Sequence, residues 1–351
     1  MKKLKSNTIH SKKSSVIFSK ELIEIYCIKN TERLVGIKNL RLVNISLTAL
    51  LIILLAGCSQ KRIPSSIYKL SATDFNNLFP KKNSFYSYSS LLKAVNNMSE
   101  IKLKIERRGD WIYKITRMTK GTDEVIRQDV DWEEEWAKNK PYNVITVDYA
   151  DFCSEPHTGE KELAAFLAHI AHETRRGMTN SFDDGLMAKH ELDTNSTYVI
   201  PNKVYPAFAN KKYYGRGPLQ LSYNGNYGAA SEALFGNKFV LLKKPEMVEK
   251  DSVVAFESAI YFWMTPQGKK PSAHEVIAKK WHPSANEKGL GYTAGFGMTI
   301  DIINGGLECG LGENMVAMND RIGFYRFFLK KLGAVDKNCS CSCGKMTPFV
   351  P

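Results

Sequence analysis

The sequence holds little cysteine for its length and no internal repeat. Seven Cys in 351 residues are too few and too unevenly spaced for a disulfide-framework fold. The absence of a heptad or a repeated period excludes coiled-coil and solenoid architectures. The Gly-rich stretch 211–236 lacks the Gly-Lys-Ser/Thr ending of a phosphate loop. Charge is moderate: charged residues make up 24% and apolar residues 43%, which suits a globular protein. Of the formal net charge of +13, residues 1–57 carry +7, from ten Lys/Arg against three Glu. The remaining excess of +6 does not require nucleic acid as a partner and suits contact with anionic surfaces such as membrane or cell wall.

Long apolar runs are scarce too. LVNISLTALLIILLAGC at 42–58 is apolar over roughly 15 residues, short for a spanning helix and long enough for the core of a signal peptide. Leu55, Ala56, Gly57 and Cys58 resemble a bacterial lipoprotein cleavage box, in which Cys58 becomes the lipidated first residue. An uncleaved membrane anchor is the alternative, and both readings export residues 59–351. The expected location is a membrane-anchored lipoprotein at the outer membrane or cell surface, or else a periplasmic or secreted protein.

What the chain does have is aromatic and apolar material, 17 Phe, 16 Tyr and 5 Trp, enough for a large core. After the leader (1–57) and a polar tether (58–69), LSATDFNNLFP at 70–80 starts a short helix behind Ser71 and stops at Pro80. YSSLLKAVNNM at 88–98 reads as a second helix. Alternation of Ile101, Leu103 and Ile105, a break at Arg108, Gly109 and Asp110, then Trp111, Tyr113 and Ile115 predict a β-hairpin within an insertion at 101–150. The acidic run at 131–135 reads as solvated surface. DSVVAFESAIYFWMTP at 251–266 reads as an amphipathic helix, SAHEVIAKKWHP at 272–283 as another, and MNDRIGFYRFFLKKLG at 318–333 as a closing helix.

The chemistry concentrates in 160–191. In EKELAAFLAHIAHETRRG, Leu163, Phe166, Leu167 and Ile170 recur at helical spacing with alanines between them, so one face is buried and a second packs closely. Glu173 falls at the end of that helix. The negative end of the helix dipole and apolar surroundings favour its neutral form, as a general acid requires. Glu191 follows 18 residues on, after a Gly/Asp/Ser/Asn-rich turn, and can serve as the second carboxylate of a hydrolytic pair. Gln220, Ser222, Asn224 and Asn226 follow the glycines Gly215 and Gly217, where close backbone approach and amide groups suit sugar hydroxyls and N-acetyl groups. His169 and His172 read as packing or hydrogen-bonding residues rather than metal ligands. No metal site and no cofactor are expected. In an exported protein, Cys309 is expected to pair with Cys339, Cys341 or Cys343.

Four separated stretches, AAFLAHIAHET, YYGRGPLQLSYNGNYG, DIINGGLECG and DRIGFYRFFLKKLG, resemble glycoside hydrolase family 19, the chitinase family of plants and bacteria. FESAIYFWMT is similar to the family's buried helix, and the resemblance spans roughly 70–338, followed by a Cys-rich tail at 339–351. It implies a mainly α, two-lobed lysozyme-like fold with a central cleft. It further implies inverting endo-hydrolysis of β-1,4 bonds in N-acetylglucosamine polymers, chitin or chitooligosaccharides. By the same resemblance Glu173 is the general acid, Glu191 the general base and Ser222 the residue that positions water. Tyr214, Gln220, Asn226, Asn304, Glu308 and Arg321 are then substrate-binding or cleft residues, a structural Glu308–Arg321 ion pair being the competing role for that couple. The partners implied are a glycan polymer and, through Cys58, a lipid bilayer. No nucleic acid is implied, and a monomer is expected.

The departures from the family pattern bear on the substrate. Arg175 and Arg176 stand where glycines are usual, and two cations beside the acid would recharge the cleft and favour an anionic polymer such as peptidoglycan. Asp301 stands where an amide is common. A catalytically weak glycan-binding or host-interaction lipoprotein is the reading from a different class.

Overall fold

A computed structural model describes residues 64–177 and 181–349. The proposed lipidation site Cys58 and the leader 1–57 lie outside them. Ser71 opens helix α1 (Ala72–Leu78) through a reciprocal cap with Asp74, and Ser87 caps α2 (Tyr88–Ser99). Strand β1 (Lys102–Arg108) then pairs with β2 (Ile112–Thr119), which pairs with β3 (Thr122–Gln128). After a one-turn helix α3 (Glu135–Lys138), β4 (Tyr142–Asp148) returns to the free edge of β1. The hairpin expected at 101–121 is thus the centre of a four-stranded antiparallel sheet in the order β3-β2-β1-β4. Leu103, Ile105 and Val147 turn one face inward, and Ile105 stands opposite both Ile115 and Ile145. The acidic run does lie at the surface, with Trp132 tucked beneath it against Ile112 and Ala137.

The rest is helical: α4 (Gly159–Thr174), α5 (Asn224–Phe235), α6 (Phe239–Lys243), α7 (Met247–Lys250), α8 (Ser252–Met264), α9 (Ala273–Ile277), α10 (Ala285–Gly289), α11 (Phe296–Glu308) and α12 (Val316–Lys331). The mainly α class expected from the sequence holds, with the sheet as a small insertion. No described helix is long and apolar enough to cross a membrane.

Helix α4 runs through the core, and every residue from Leu163 to Ala171 is buried. Its small residues allow close approach: a Cβ added at Gly185 would stand 2.6 Å from the Ala171 Cβ. Helix α8 differs from the amphipathic reading. Asp251 caps its first turn, and ten of its residues, Trp263 among them, are buried. Neighbours cover it on nearly all sides because α2, α5, α9 and the sheet-flanking segment all pack against it. The buried Glu162 ties these layers together. It accepts from the Trp263 indole at 2.9 Å, from His274 at 2.7 Å and from the Cys153 backbone N–H at 3.0 Å. The Gly-rich run 296–308 is helical as α11, with a break at Asn304 (φ −146°, ψ 33°).

Of the three tail cysteines, Cys343 pairs with Cys309, joining the end of α11 to the C-terminal segment, and Cys339 pairs with Cys341. Cys153 is a buried free thiol.

Candidate active site

Two clusters of polar side chains are built at the end of α4. The first surrounds Glu173, in the last turn of the helix. Its Oε1 accepts from Nη2 of Arg321, which α12 delivers from the opposite side. Arg321 is fully buried and also grips Glu308, through Nε to Oε2 at 2.8 Å and Nη2 to Oε1 at 2.7 Å. Burial alone would raise the Glu308 carboxyl, but Arg321 beside it outweighs burial and holds it below the usual range. The remaining contact of Arg321 is His169 Nδ1 at 3.0 Å, and His169 Nε2 meets Thr299 at 2.9 Å. Burial, reinforced by Arg321, depresses His169 well below the ordinary imidazole range and keeps it neutral, so its Nδ1 can accept from the guanidinium. Asn304, freed from helical geometry at the break in α11, donates to Glu308 Oε1 at 2.7 Å.

The second cluster surrounds Glu191. The chain from 184 to 191 is fastened to the end of α4. Leu186 N–H donates to Thr174 Oγ1 at 2.7 Å, Ala188 N–H to the Thr174 carbonyl at 2.8 Å, and Tyr86 to the Ala188 carbonyl at 3.0 Å. Glu191 then crosses onto the YYGRGPLQLS turn, where its N–H donates to the Gly215 carbonyl at 3.0 Å. Its carboxylate accepts from the Gly215 N–H at 2.9 Å and from the Tyr198 hydroxyl at 2.8 Å. The hydrogen bond to Glu191 pushes the Tyr198 phenol up to about 12. A side chain at Gly215 would crowd its neighbours: a Cβ there would lie 2.8 Å from Gln220 Oε1 and 3.2 Å from Ser222 Oγ. The turn is pinned by Arg216, whose backbone pairs with Leu221 and whose guanidinium reaches the Lys212 carbonyl at 3.0 Å and Tyr227 at 2.9 Å. Glu191, Gly215, Gln220 and Ser222 are thereby brought together.

Other candidates fall differently. Arg321 and Glu308 have no surface to offer a sugar, so their place is behind Glu173 rather than against substrate. Tyr214 is half-buried, with the Arg216 guanidinium 3.6 Å from its ring centre and His190 edge-on. Asn226, in the first turn of α5, lines a separate cavity between that helix and the sheet. Arg175 does not project into open space. Its side chain is only 4% exposed, pairs with Asp184 at 2.9 Å and with Asp320, and lies over the Phe324 ring. Asp320 also holds His172 Nδ1 at 2.6 Å. Of the two cations beside the acid, Arg176 alone is exposed.

Sequence reasoning gave Tyr198 no part beside Glu191. It also gave Asp320, the shared partner of His172 and Arg175, no role. No local pattern marks either, because both pairings are long-range products of loop placement.

A carboxylate at a helix end is backed by a buried guanidinium, and a second lies on a glycine turn with a hydroxyl beside it, so two acidic groups are set on separate elements of a helical domain. The family profile described as Chitinase class I matches residues 144–343. The chain belongs to glycoside hydrolase family 19. It is 41% identical over 217 residues to Chitinase 9 of Oryza sativa subsp. japonica, covering 59% of this chain and 64% of the relative. It is 42% identical over 196 residues to Inactive chitinase-like protein 1 of Hevea brasiliensis, covering 55% of this chain and 61% of the relative. Among solved structures, chitinase C from Streptomyces griseus HUT6037 aligns with a TM-score of 0.52 and 28% identity over 78% of this chain and 79% of that one. The chain spans just under two thirds of the length of the curated rice relatives it matches.

Proposed function

We propose that the protein hydrolyses β-1,4 bonds in N-acetylglucosamine polymers, chitin or chitooligosaccharides, internally and with inversion. The observation that carries this reading is the pair of differently built carboxylate sites. Glu173 lies on a guanidinium that Glu308 also holds, and of the two carboxyls it is the one with an exposed side, 16% against 2%, where it can meet a glycosidic oxygen. Glu191 accepts two hydrogen bonds that orient its carboxylate, one of them from Gly215, and Ser222 Oγ lies against the open side of that same glycine. In the reaction Glu173 protonates the glycosidic oxygen as the C1–O bond breaks. A water placed by Ser222 attacks C1 from the opposite face and yields its proton to Glu191. The product is the α-anomer, and solvent returns Glu191 to the anion and Glu173 to the acid. Inversion of this kind calls for carboxyl groups roughly 6.5–9.5 Å apart.

The catalytic unit is taken as 70–338, acting as a monomer and tethered to a bilayer through lipid on Cys58. Peptidoglycan is the alternative substrate. Its support, cation charge beside the acid, is halved by the burial of Arg175. A glycan-binding protein without turnover is the reading that the inactive Hevea relative keeps open.

The test incubates residues 59–351 with chitin oligomers and, separately, with purified peptidoglycan, beside Glu173→Gln. Release of α-anomeric N-acetylglucosamine oligomers, abolished in the variant while binding persists, supports the proposal. Turnover of peptidoglycan alone moves the substrate, and binding without product in the unmodified protein overturns the enzymatic reading.

A further inference from the structure

The sheet at 102–148 lies almost wholly outside the matched family segment 144–343, yet it walls a cavity of about 270 Å³ against α5 and the end of α8. The cavity adjoins the Glu191 cluster along two chain segments. One is the loop that starts at Tyr198, on the Glu191 carboxylate, and is then tied to Asn224 at Ile200 and Tyr205. Asn202 and Tyr205 of that loop reach the cavity wall. The other is the start of α5 (Asn224–Phe235), which carries Asn226 and follows directly on the turn that holds Ser222.

The lining is two-sided. Asn202, Asn226 and Gln267 bring amide groups. The Asn202 oxygen is used by the Val204 and Tyr205 N–H groups, while its amide nitrogen and the side chains of Asn226 and Gln267 donate to no protein group among the described residues. Opposite them stand Ile115 and Ile126 of the sheet, an aliphatic floor. The sheet side is held stiffly. Arg127 makes two bonds to Asp129, at 2.7 and 2.9 Å, and lies over the rings of Tyr113 and Tyr205. The hydroxyl of Tyr205 donates to the buried Glu232 at 2.7 Å. Unpaired amides facing an aliphatic wall match an N-acetylated pyranose, which carries hydroxyls and an amide on its rim and C–H groups and a methyl for the floor. The volume sits just below the roughly 300 Å³ at which ligand pockets usually begin, so it suits one sugar and not a continuing chain.

We propose that this cavity is a pocket for a single N-acetylated sugar at one end of a bound oligosaccharide, and that the sheet closes the cleft there. This rests on the glycan-hydrolase reading above. Its consequence is that the chain is counted from the pocket, so oligomers long enough to reach it bind more tightly than those confined to the two carboxylates.

The test uses calorimetry on the Glu173→Gln protein with the dimer and the tetramer of N-acetylglucosamine. Two changes fill the pocket from opposite walls, Ala229→Phe on α5 and Ile126→Trp on β3, and each is checked for an unchanged melting temperature. The tetramer is expected to bind at least about tenfold more tightly than the dimer. That ratio should fall several-fold in whichever filled variant folds as the parent does. A ratio that stays within twofold of the parent value in a folded variant overturns the pocket and leaves the hydrolase reading standing. Failure of the Glu173→Gln protein to bind either oligomer overturns both.

Discussion

The Gly215 N–H donates to the Glu191 carboxylate at 2.9 Å, while the same residue's missing side chain leaves Gln220 Oε1 and Ser222 Oγ room at 2.8 and 3.2 Å from the Cβ position. One glycine therefore both orients the proposed base and admits the group proposed to hold water. Replacing it by alanine presses a methyl against two side-chain ends that can move, so the fold should survive. Gly215→Ala is expected to lower turnover on chitin oligomers about 10- to 100-fold, equivalent to roughly 1.4–3 kcal/mol of transition-state stabilisation, with little change in melting temperature. A loss of folding instead of turnover would show that the turn, not the base, needs the glycine.

Tyr198 supplies the other hydrogen bond to Glu191. Hydrogen bonds to charged groups contribute about 1.5–3 kcal/mol. Tyr198→Phe keeps the ring against Tyr223 and removes only this donor. Steady-state kinetics should show kcat/KM reduced at least about tenfold. Unchanged kinetics would detach Glu191 from the chemistry.

Arg321 is buried between Glu308 and Glu173. Removing one partner of a buried pair leaves an uncompensated charge and costs about 3–5 kcal/mol. Arg321→Met should therefore lower stability in denaturant titration by that amount. Adding Glu308→Gln to Arg321→Met should recover a large part of it, since the stranded anion is gone. If the double variant is as unstable as the single one, the pair is not coupled as described.

Asp301 and Glu232 give the stability a pH dependence of unusual sign. Burial raises Asp301 to about 6, against the Phe349 N–H and Lys270, and raises Glu232 to about 7, against Tyr205 and Arg127. Both bind protons more tightly folded than unfolded, so stability falls as pH rises from about 4 to about 7, by at most about 3 kcal/mol for each group. Glu308 and Asp320 are depressed, and their contribution is lost as pH falls below the ordinary carboxylate range. Greatest stability is thus expected near pH 4–5, roughly where the two trends cross. Asp301→Asn should flatten the slope between about pH 4 and 6 and raise the melting temperature at pH 7. A slope unaffected by that change would mean that Asp301 is ionised in the fold.

The Cys309–Cys343 bridge closes a separation of 34 residues, whereas Cys339–Cys341 closes 2. Chain entropy assigns the longer loop about 4 kcal/mol and the shorter one about a third of that. Cys309→Ser or Cys343→Ser should accordingly lower the unfolding midpoint far more than Cys339→Ser. Equal effects would place the stabilisation in something other than the loop.

What the sequence by itself determined was local. The spacing of Leu163, Phe166, Leu167 and Ile170 dictates α4, because residues three and four apart share a helix face. It places Glu173 in the last helical turn for the same reason. The alternation at 101–115 marks strands, since side chains on a strand switch faces at every residue. The YYGRGPLQLS run carries its own turn, with Gly217 and Gln220 at positive φ, so Gly215, Gln220 and Ser222 meet wherever that turn is placed. Tertiary structure decided the rest. The strand order, with β4 on the far edge of β1, depends on a return of the chain that alternation does not encode. Arg175, read from its position as a cation in the cleft, is instead buried on Asp184, Asp320 and Phe324, because α12 brings the latter two beside it. Arg321 meets Glu173 across a separation of 148 residues, and Cys343 rather than Cys339 or Cys341 meets Cys309. Such contacts follow from how whole helices stack, and a helix's periodicity states which face is buried without naming what will cover it.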